Sequence, residues 1–217
     1  MESKLYLGGG GDKEQSELLD AEFTLHLEEL GEKPECLYIP VAMDVDKHND
    51  ALEWFTDGYS SMFSDITMLR DLSEAKDLQN QYPVVYIGGG NTGRLLDQIY
   101  ANDFDSYLAD HLSRGGVIYG GSAGAIVLGA SILTTPEFEH SAISNEGLDL
   151  LAGRSVVAHY KGNTDRNYVQ SMSSKLNTQL LAIPEDAGVI VDNDGNLTAV
   201  GAGVIEFNSH GSVNFLS

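Results

Sequence analysis

The chain has 217 residues, 42% of them hydrophobic and 21% charged, with 24 glycines and a single cysteine, Cys36, so it can hold neither an intrachain disulfide nor a cysteine-rich zinc site. Its 12 basic and 33 acidic side chains leave a formal net charge of −21, a field that repels phosphate backbones and anionic membrane and speaks against a nucleic-acid or membrane partner. No apolar run approaches the ~18 residues of a bilayer span, and MESKLYLGGG lacks the basic-then-apolar order of a secretory signal, so a cytoplasmic globular protein of one domain over residues 1–217 is expected.

In chain order, residues 3–7 form a short apolar run that ends in four glycines, Gly8 to Gly11. The spacing of Leu18, Leu19, Phe23, Leu25, Leu27 and Leu30 predicts a helix over Asp12 to Leu30, stopped by Gly31. Residues 36–42 read as a buried strand, followed by an acidic segment, a helix over Ala51 to Phe63 and a strand over Asp65 to Leu69. The run Tyr82 to Ile87 is a strand entering Gly88, Gly89 and Gly90, after which Asn91 opens a helix carrying Leu95, Leu96 and Ile99. A helix over Asp103 to Ser113 leads to the strand Val117 to Tyr119.

Alternating strands and helices of these lengths predict an α/β fold, a three-layer arrangement with a mainly parallel sheet flanked by helices. Apolar runs such as VVYI fit strands covered on both faces. The last third differs: residues 180–191, 197–200, 203–207 and 213–216 are short strands with turn signals between them, Asp194-Gly195 among them. An antiparallel C-terminal part completing one edge of the sheet is expected.

The segment Val117 to Leu128 carries the sharpest signal. A strand runs into Gly120-Gly121-Ser122-Ala123-Gly124-Ala125 and straight into an apolar helix, matching G-x-S-x-G in its strand–turn–helix setting. So tight a turn needs neighbours with almost no side chain, lifts the hydroxyl of Ser122 above the sheet, and leaves the Ala123 N–H free for an oxyanion. A glycine-rich turn whose serine merely caps a helix has the same pattern, and the motif alone leaves both readings open.

A nucleophile needs a base and the base an orienting acid. Among six histidines, His159 ends the apolar run Val156 to Ala158, at a strand terminus like that of Ser122. His26 and His111 lie in helical stretches, His48 and His140 in acidic loops, and His210 in a hairpin turn. Glu185, in Ala182-Ile-Pro-Glu-Asp-Ala, follows an apolar run and suits the acid.

Gly88 to Gly93 also match the dinucleotide fingerprint G-x-G-x-x-G. That motif normally occupies the first βα turn with an acid at the end of the next strand, whereas here the next strand ends in the serine segment. Gly89 and Gly90 fit better as backbone N–H donors facing Ser122, with Asn91 as the cap. Asp44-x-Asp46-x-His48-x-Asp50 looks like half a calcium loop, but Asn49 and Phe55 stand where glycine and glutamate are required, so no metal and no cofactor are expected.

Three separated motifs, Gly88 to Thr92, Gly120 to Ala125 and Ile183 to Glu185, resemble those of peptidase family S51, the peptidase E and cyanophycinase group, with a class I glutamine amidotransferase-like fold. The resemblance implies a Ser–His–Glu triad of Ser122, His159 and Glu185, an oxyanion hole from the N–H groups of Gly90 and Ala123, and short peptides as substrates of a monomer or homodimer. Gly89 and Asn91 are then expected at the substrate. The α/β-hydrolase order would instead require Ser122, then Glu185 or Asp192, then His210. The family's Gly-Glu-Thr-Arg stretch, whose arginine pairs with a substrate aspartate, corresponds here to Gly162-Asn-Thr-Asp165, with Arg166 one place later. Arg166, or Lys161 as a point charge, is the candidate reader of an acidic side chain, and aspartyl specificity is in doubt.

Overall fold

The computed structural model describes residues 3–78, 82–210 and 212–216. Strand β1 (Lys4–Gly8) is an interior strand, and the chain then lays down α1 (Glu17–Glu28), β2 (Glu35–Ile39), α2 (His48–Tyr59), β3 (Asp65–Met68), β4 (Val84–Ile87), α3 (Thr92–Ala101), α4 (Phe104–Ser113), β5 (Val117–Gly121) and the short α5 (Ala123–Val127). There follow β6 (Arg154–Val157), α6 (Arg166–Leu176), β7 (Gln179–Ala182), β8 (Gly188–Val191), β9 (Leu197–Val200), β10 (Ile205–Phe207) and β11 (Val213–Phe215).

Seven strands form one sheet in the order β3-β2-β4-β5-β1-β8-β9. The first five run parallel, and β8 and β9 add an antiparallel edge. Side chains alternate faces along each strand, so the register sorts them into two layers. Tyr38, Tyr86, Tyr119 and Tyr6 pair in one row across four neighbouring strands. On that face they pack against Leu19, Phe23 and Leu27 of α1 and Ala51, Phe55 and Tyr59 of α2. The opposite face presents Leu7, Ile39, Ile87 and Ile118 to an aliphatic layer that includes Leu95, Leu96 and Ile99 of α3 and Leu108 of α4. Helices therefore cover both faces, as the continuous apolar strands require.

The expected antiparallel C-terminal strands are present, β8 and β9 completing the edge of the large sheet and β10 pairing antiparallel with β7 and β11, but these last do not join that sheet. Strands β11-β10-β7-β6 form a separate four-stranded sheet in which β6 and β7 run parallel. The run over residues 180–191 divides because Pro184, lacking an N–H, cannot continue a ladder. The chain leaves the small sheet after β7 and enters the large one at β8, so Glu185 lies in the crossing.

Helix α1 begins at Glu17 rather than Asp12 because Asp12 and Gln15 close a reciprocal turn, each N–H donating to the other's side-chain oxygen at 3.0 Å. His48 opens α2 and is buried, not part of a loop. The described residues contain no helix long and apolar enough to cross a membrane.

Candidate active site

Ser122 stands between β5 and α5 with φ 50 and ψ −112, a region that costs a residue with a side chain ~1–3 kcal/mol and persists only where its surroundings impose it. The surroundings are glycines. A Cβ on Gly120 would lie 2.6 Å from the carbonyl of Gly124, and one on Gly124 would overlap the carbonyl of Ile87. The Ser122 N–H donates to the Gly8 carbonyl at 3.1 Å, while its own carbonyl accepts from Ala125 and Ile126 at 2.9 and 3.0 Å. Ala123 opens α5, so its N–H has no partner within the helix.

His159 follows β6 and also has positive φ, 54. Its N–H donates to Gly9 at 2.8 Å, and the neighbouring Tyr160 N–H donates to Ile183 at 3.1 Å, which ties the end of β6 to that of β7 and to the first glycine loop. These anchors bring three side chains into one line. Nε2 of His159 lies 2.9 Å from Ser122 Oγ, and Nδ1 lies 2.8 Å from Glu185 Oε1. The hydrogen bonds from His159 and Gln15 hold the Glu185 carboxyl below its ordinary range, so it is ionised at neutral pH and can only accept. Nδ1 must then carry the imidazole proton, and Nε2 presents a lone pair to the serine hydroxyl. The arrangement can take a proton from Oγ and hand it on.

Two contributors carried no signal in the motifs. Gln15 Nε2 donates to Glu185 Oε2 at 3.2 Å, holding the oxygen that His159 leaves free. The loop Gly8 to Gly11 is the joint of the site. A Cβ on Gly10, whose φ is 98, would lie 2.6 Å from His159 Cε1 and 2.7 Å from Ser122 Cβ. One on Gly9 would overlap the Pro184 carbonyl, and one on Gly11 would lie 2.5 Å from the Glu185 carbonyl oxygen. Only glycines let this strand end pass between serine, histidine and acid.

A cleft of about 460 Å³ opens beside Ser122, lined by Gly10, Gly11, Gly88, Gly89 and Gly121 and by side chains of Tyr38, Met43, Lys47, Asp50, Ala51, Trp54 and Tyr86. Gly89 lies beside the serine, where a Cβ would come within 3.3 Å of Ser122 Cβ. Asn91 caps α3, its side-chain oxygen accepting from Arg94 N–H at 2.8 Å, and it is not among the cleft-lining residues. Arg166 is not among them either. One helical position past Asp165 turns its side chain by ~100°, and its guanidinium lies 5.5 Å from the ring centroid of Phe215. Asp165 instead accepts from the backbone N–H of Lys161 at 2.8 Å. Lys161 is exposed, and its charge reaches Glu185 weakly.

The second glycine loop packs closely against neighbouring backbone. A Cβ on Gly90, with φ 141, would lie 2.5 Å from the Ala42 carbonyl, and one on Gly93 would overlap the backbone of Glu139. The start of α3 is already met by a carboxylate, Glu139 Oε2, at 3.2 Å from Thr92 Oγ1. In the acidic loop, Asp44 pairs with Arg94 at 2.7 Å and Asp50 faces Lys47 at 3.8 Å. Of the other histidines, Nδ1 of His26 meets the Tyr6 hydroxyl at 2.9 Å, and His111 Nε2 lies 3.0 Å from the Val117 carbonyl.

A family model for peptidase family S51 matches residues 5–198. The chain is similar to peptidase E of Shewanella denitrificans, 29% identical over 99 residues, covering 46% of this chain and 42% of that protein. It is similar to peptidase E of Haemophilus influenzae (strain Rd), 31% identical over 98 residues, covering 45% and 44%. The aligned stretches thus span less than half the length of these relatives. Two crystal structures share the fold. One is a peptidase from an acI-B1 Actinobacterium, with TM-score 0.74, 21% identity and coverage of 100% of this chain and 96% of that one. The other, a Listeria monocytogenes EGD-e protein assigned to peptidase E, has TM-score 0.72, 17% identity and coverage of 94% and 100%. The fold is class I glutamine amidotransferase-like.

Proposed function

This chain belongs to peptidase family S51, and from that premise we propose that it is a serine peptidase hydrolysing short peptides, as a dipeptidase or an N-terminal exopeptidase. The observation that carries the reading is the unbroken line Ser122 Oγ, His159 Nε2 and Nδ1, Glu185 Oε1, with steps of 2.9 and 2.8 Å, at the edge of a cleft. Oγ of Ser122 attacks the scissile carbonyl while Nε2 of His159 takes its proton. The developing oxyanion is held by the N–H groups of Ala123 and Gly90. Collapse breaks the C–N bond, the imidazolium returns its proton to the departing amine, and the acyl group stays on Oγ. Water, deprotonated by the same imidazole, then hydrolyses the ester. Glu185 stabilises the imidazolium and fixes its tautomer without bonding to substrate.

The test is mass spectrometry of a dipeptide and tripeptide library incubated with wild type and Ser122→Ala, alongside covalent labelling by a fluorophosphonate. Wild type should cleave a subset and carry one label on Ser122, while Ser122→Ala should do neither and keep its fold. Cleavage of the same peptides by a folded Ser122→Ala variant would overturn the mechanism.

A further inference from the structure

We propose that the cleft beside Ser122 receives an apolar, and preferentially an aromatic, side chain next to the scissile bond, with Trp54 as its specificity-determining residue. This rests on the hydrolytic reading of Ser122 and names the substrate class of that site. The cleft is lined by two fixed rings. Tyr38 stacks on Phe55 with centroids 4.2 Å apart, and Tyr86 stacks on Tyr119 at 4.6 Å, so neither rotates away. Met43, Ala51 and Trp54 complete the apolar lining. Trp54 is held against Tyr59 at 5.7 Å yet stays 44% exposed, leaving indole surface for a ligand to cover.

The charges point the same way. The ionised side chains lining the cleft are Lys47 and Asp50, 3.8 Å apart and 57% and 72% exposed, which offset one another at its rim. The arginines that could have read a carboxylate are engaged elsewhere. Arg94 pairs with Asp44 at 2.7 Å, Arg154 with Glu206 at 2.9 Å, and Arg166 covers Phe215. With a net charge of −21 around it, a cleft without an unopposed cation disfavours an acidic side chain. The volume of about 460 Å³ lies within the ~300–1,000 Å³ usual for small-molecule sites.

The experiment measures kcat/KM for Xaa–Ala and Ala–Xaa dipeptides, Xaa being Phe, Leu, Ala, Lys or Asp, with fluorophosphonate labelling of Ser122 run in parallel. In one of the two series wild type should favour Phe over Asp by about 10- to 100-fold, the range set by burial of a large apolar side chain. Trp54→Ala should cut the Phe-to-Asp ratio by about tenfold, and Trp54→Phe should restore most of it. A wild type that labels on Ser122 but favours Asp in both series overturns this inference and leaves the hydrolytic reading standing. A wild type that neither labels nor cleaves removes the reading beneath it. The wild-type ranking decides the matter even if Trp54→Ala fails to fold.

Discussion

The candidate site has two halves that are built in opposite ways. The serine half is local: one turn of the seven-stranded sheet, Gly120 to Ala125, sets the backbone of Ser122 through glycines whose missing Cβ atoms the neighbouring backbone fills. The histidine and glutamate half is assembled from a distance. His159 and Glu185 leave the ends of β6 and β7 in the four-stranded sheet, 26 residues apart, and meet through strand pairing and the bond from Tyr160 to Ile183. Both halves hang on the end of β1, where Gly8 accepts from Ser122 and Gly9 from His159. In the proposed triad the nucleophile is encoded within six residues, whereas the base and its acid are delivered by topology.

The largest break comes from the joint. Gly10→Ala places a methyl 2.6 Å from His159 Cε1 and 2.7 Å from Ser122 Cβ, at a φ of 98. Pushing both partners by ~1 Å should lower kcat/KM on the order of 10³-fold, since one such misplacement alone can cost ~10². Circular dichroism should show the fold retained, and activity within tenfold of wild type would mean that the halves align without this loop. Glu185→Gln keeps the shape and removes the charge. Glu185 is partly in water, its side chain 42% exposed, so the loss should be about 10- to 100-fold in kcat, the worth of a hydrogen bond to a charged group. A loss equal to that of Ser122→Ala would mean that the acid half does more than orient the base.

The two halves were unequally legible. Ser122 announces itself through a run of small residues between a strand and a helix, because the steric demand is local and the sequence records it. His159 and Glu185 stood out as residues ending apolar runs, which placed them at strand ends but not in which sheet. The second sheet is not legible in the sequence because Pro184 sends residues 180–191 into two ladders, and no periodicity reports which ladder a short strand joins. The row of Tyr6, Tyr38, Tyr86 and Tyr119 was invisible for the same reason: each strand carries one tyrosine, and only register aligns them. The part played by Gly9 to Gly11 needed the contacts of Pro184, His159 and Glu185. Arg166 looked one position out of place, and the helix turned that one position into a side chain over Phe215.

Gln15 is the smallest test and the one that measures how firmly the distant half is held. Its amide reaches Glu185 from the turn before α1, at 3.2 Å, and helps hold the carboxyl below its ordinary range. Removing it in Gln15→Ala leaves the bond from His159 as the main stabiliser of the anion, so the Glu185 pKa should rise towards the usual carboxylate value. A carboxyl with a depressed pKa gives its stabilisation above its unfolded value and loses it as pH falls through the folded one. In the variant that loss starts at a higher pH, so the acid limb of the stability profile, read by thermal melting across pH, should move up in pH. At neutral pH, kcat should fall by about fivefold, the equivalent of one ordinary hydrogen bond of ~1 kcal/mol. An unmoved acid limb would mean that β7 and the crossing at Pro184 position Glu185 without help from the first glycine loop.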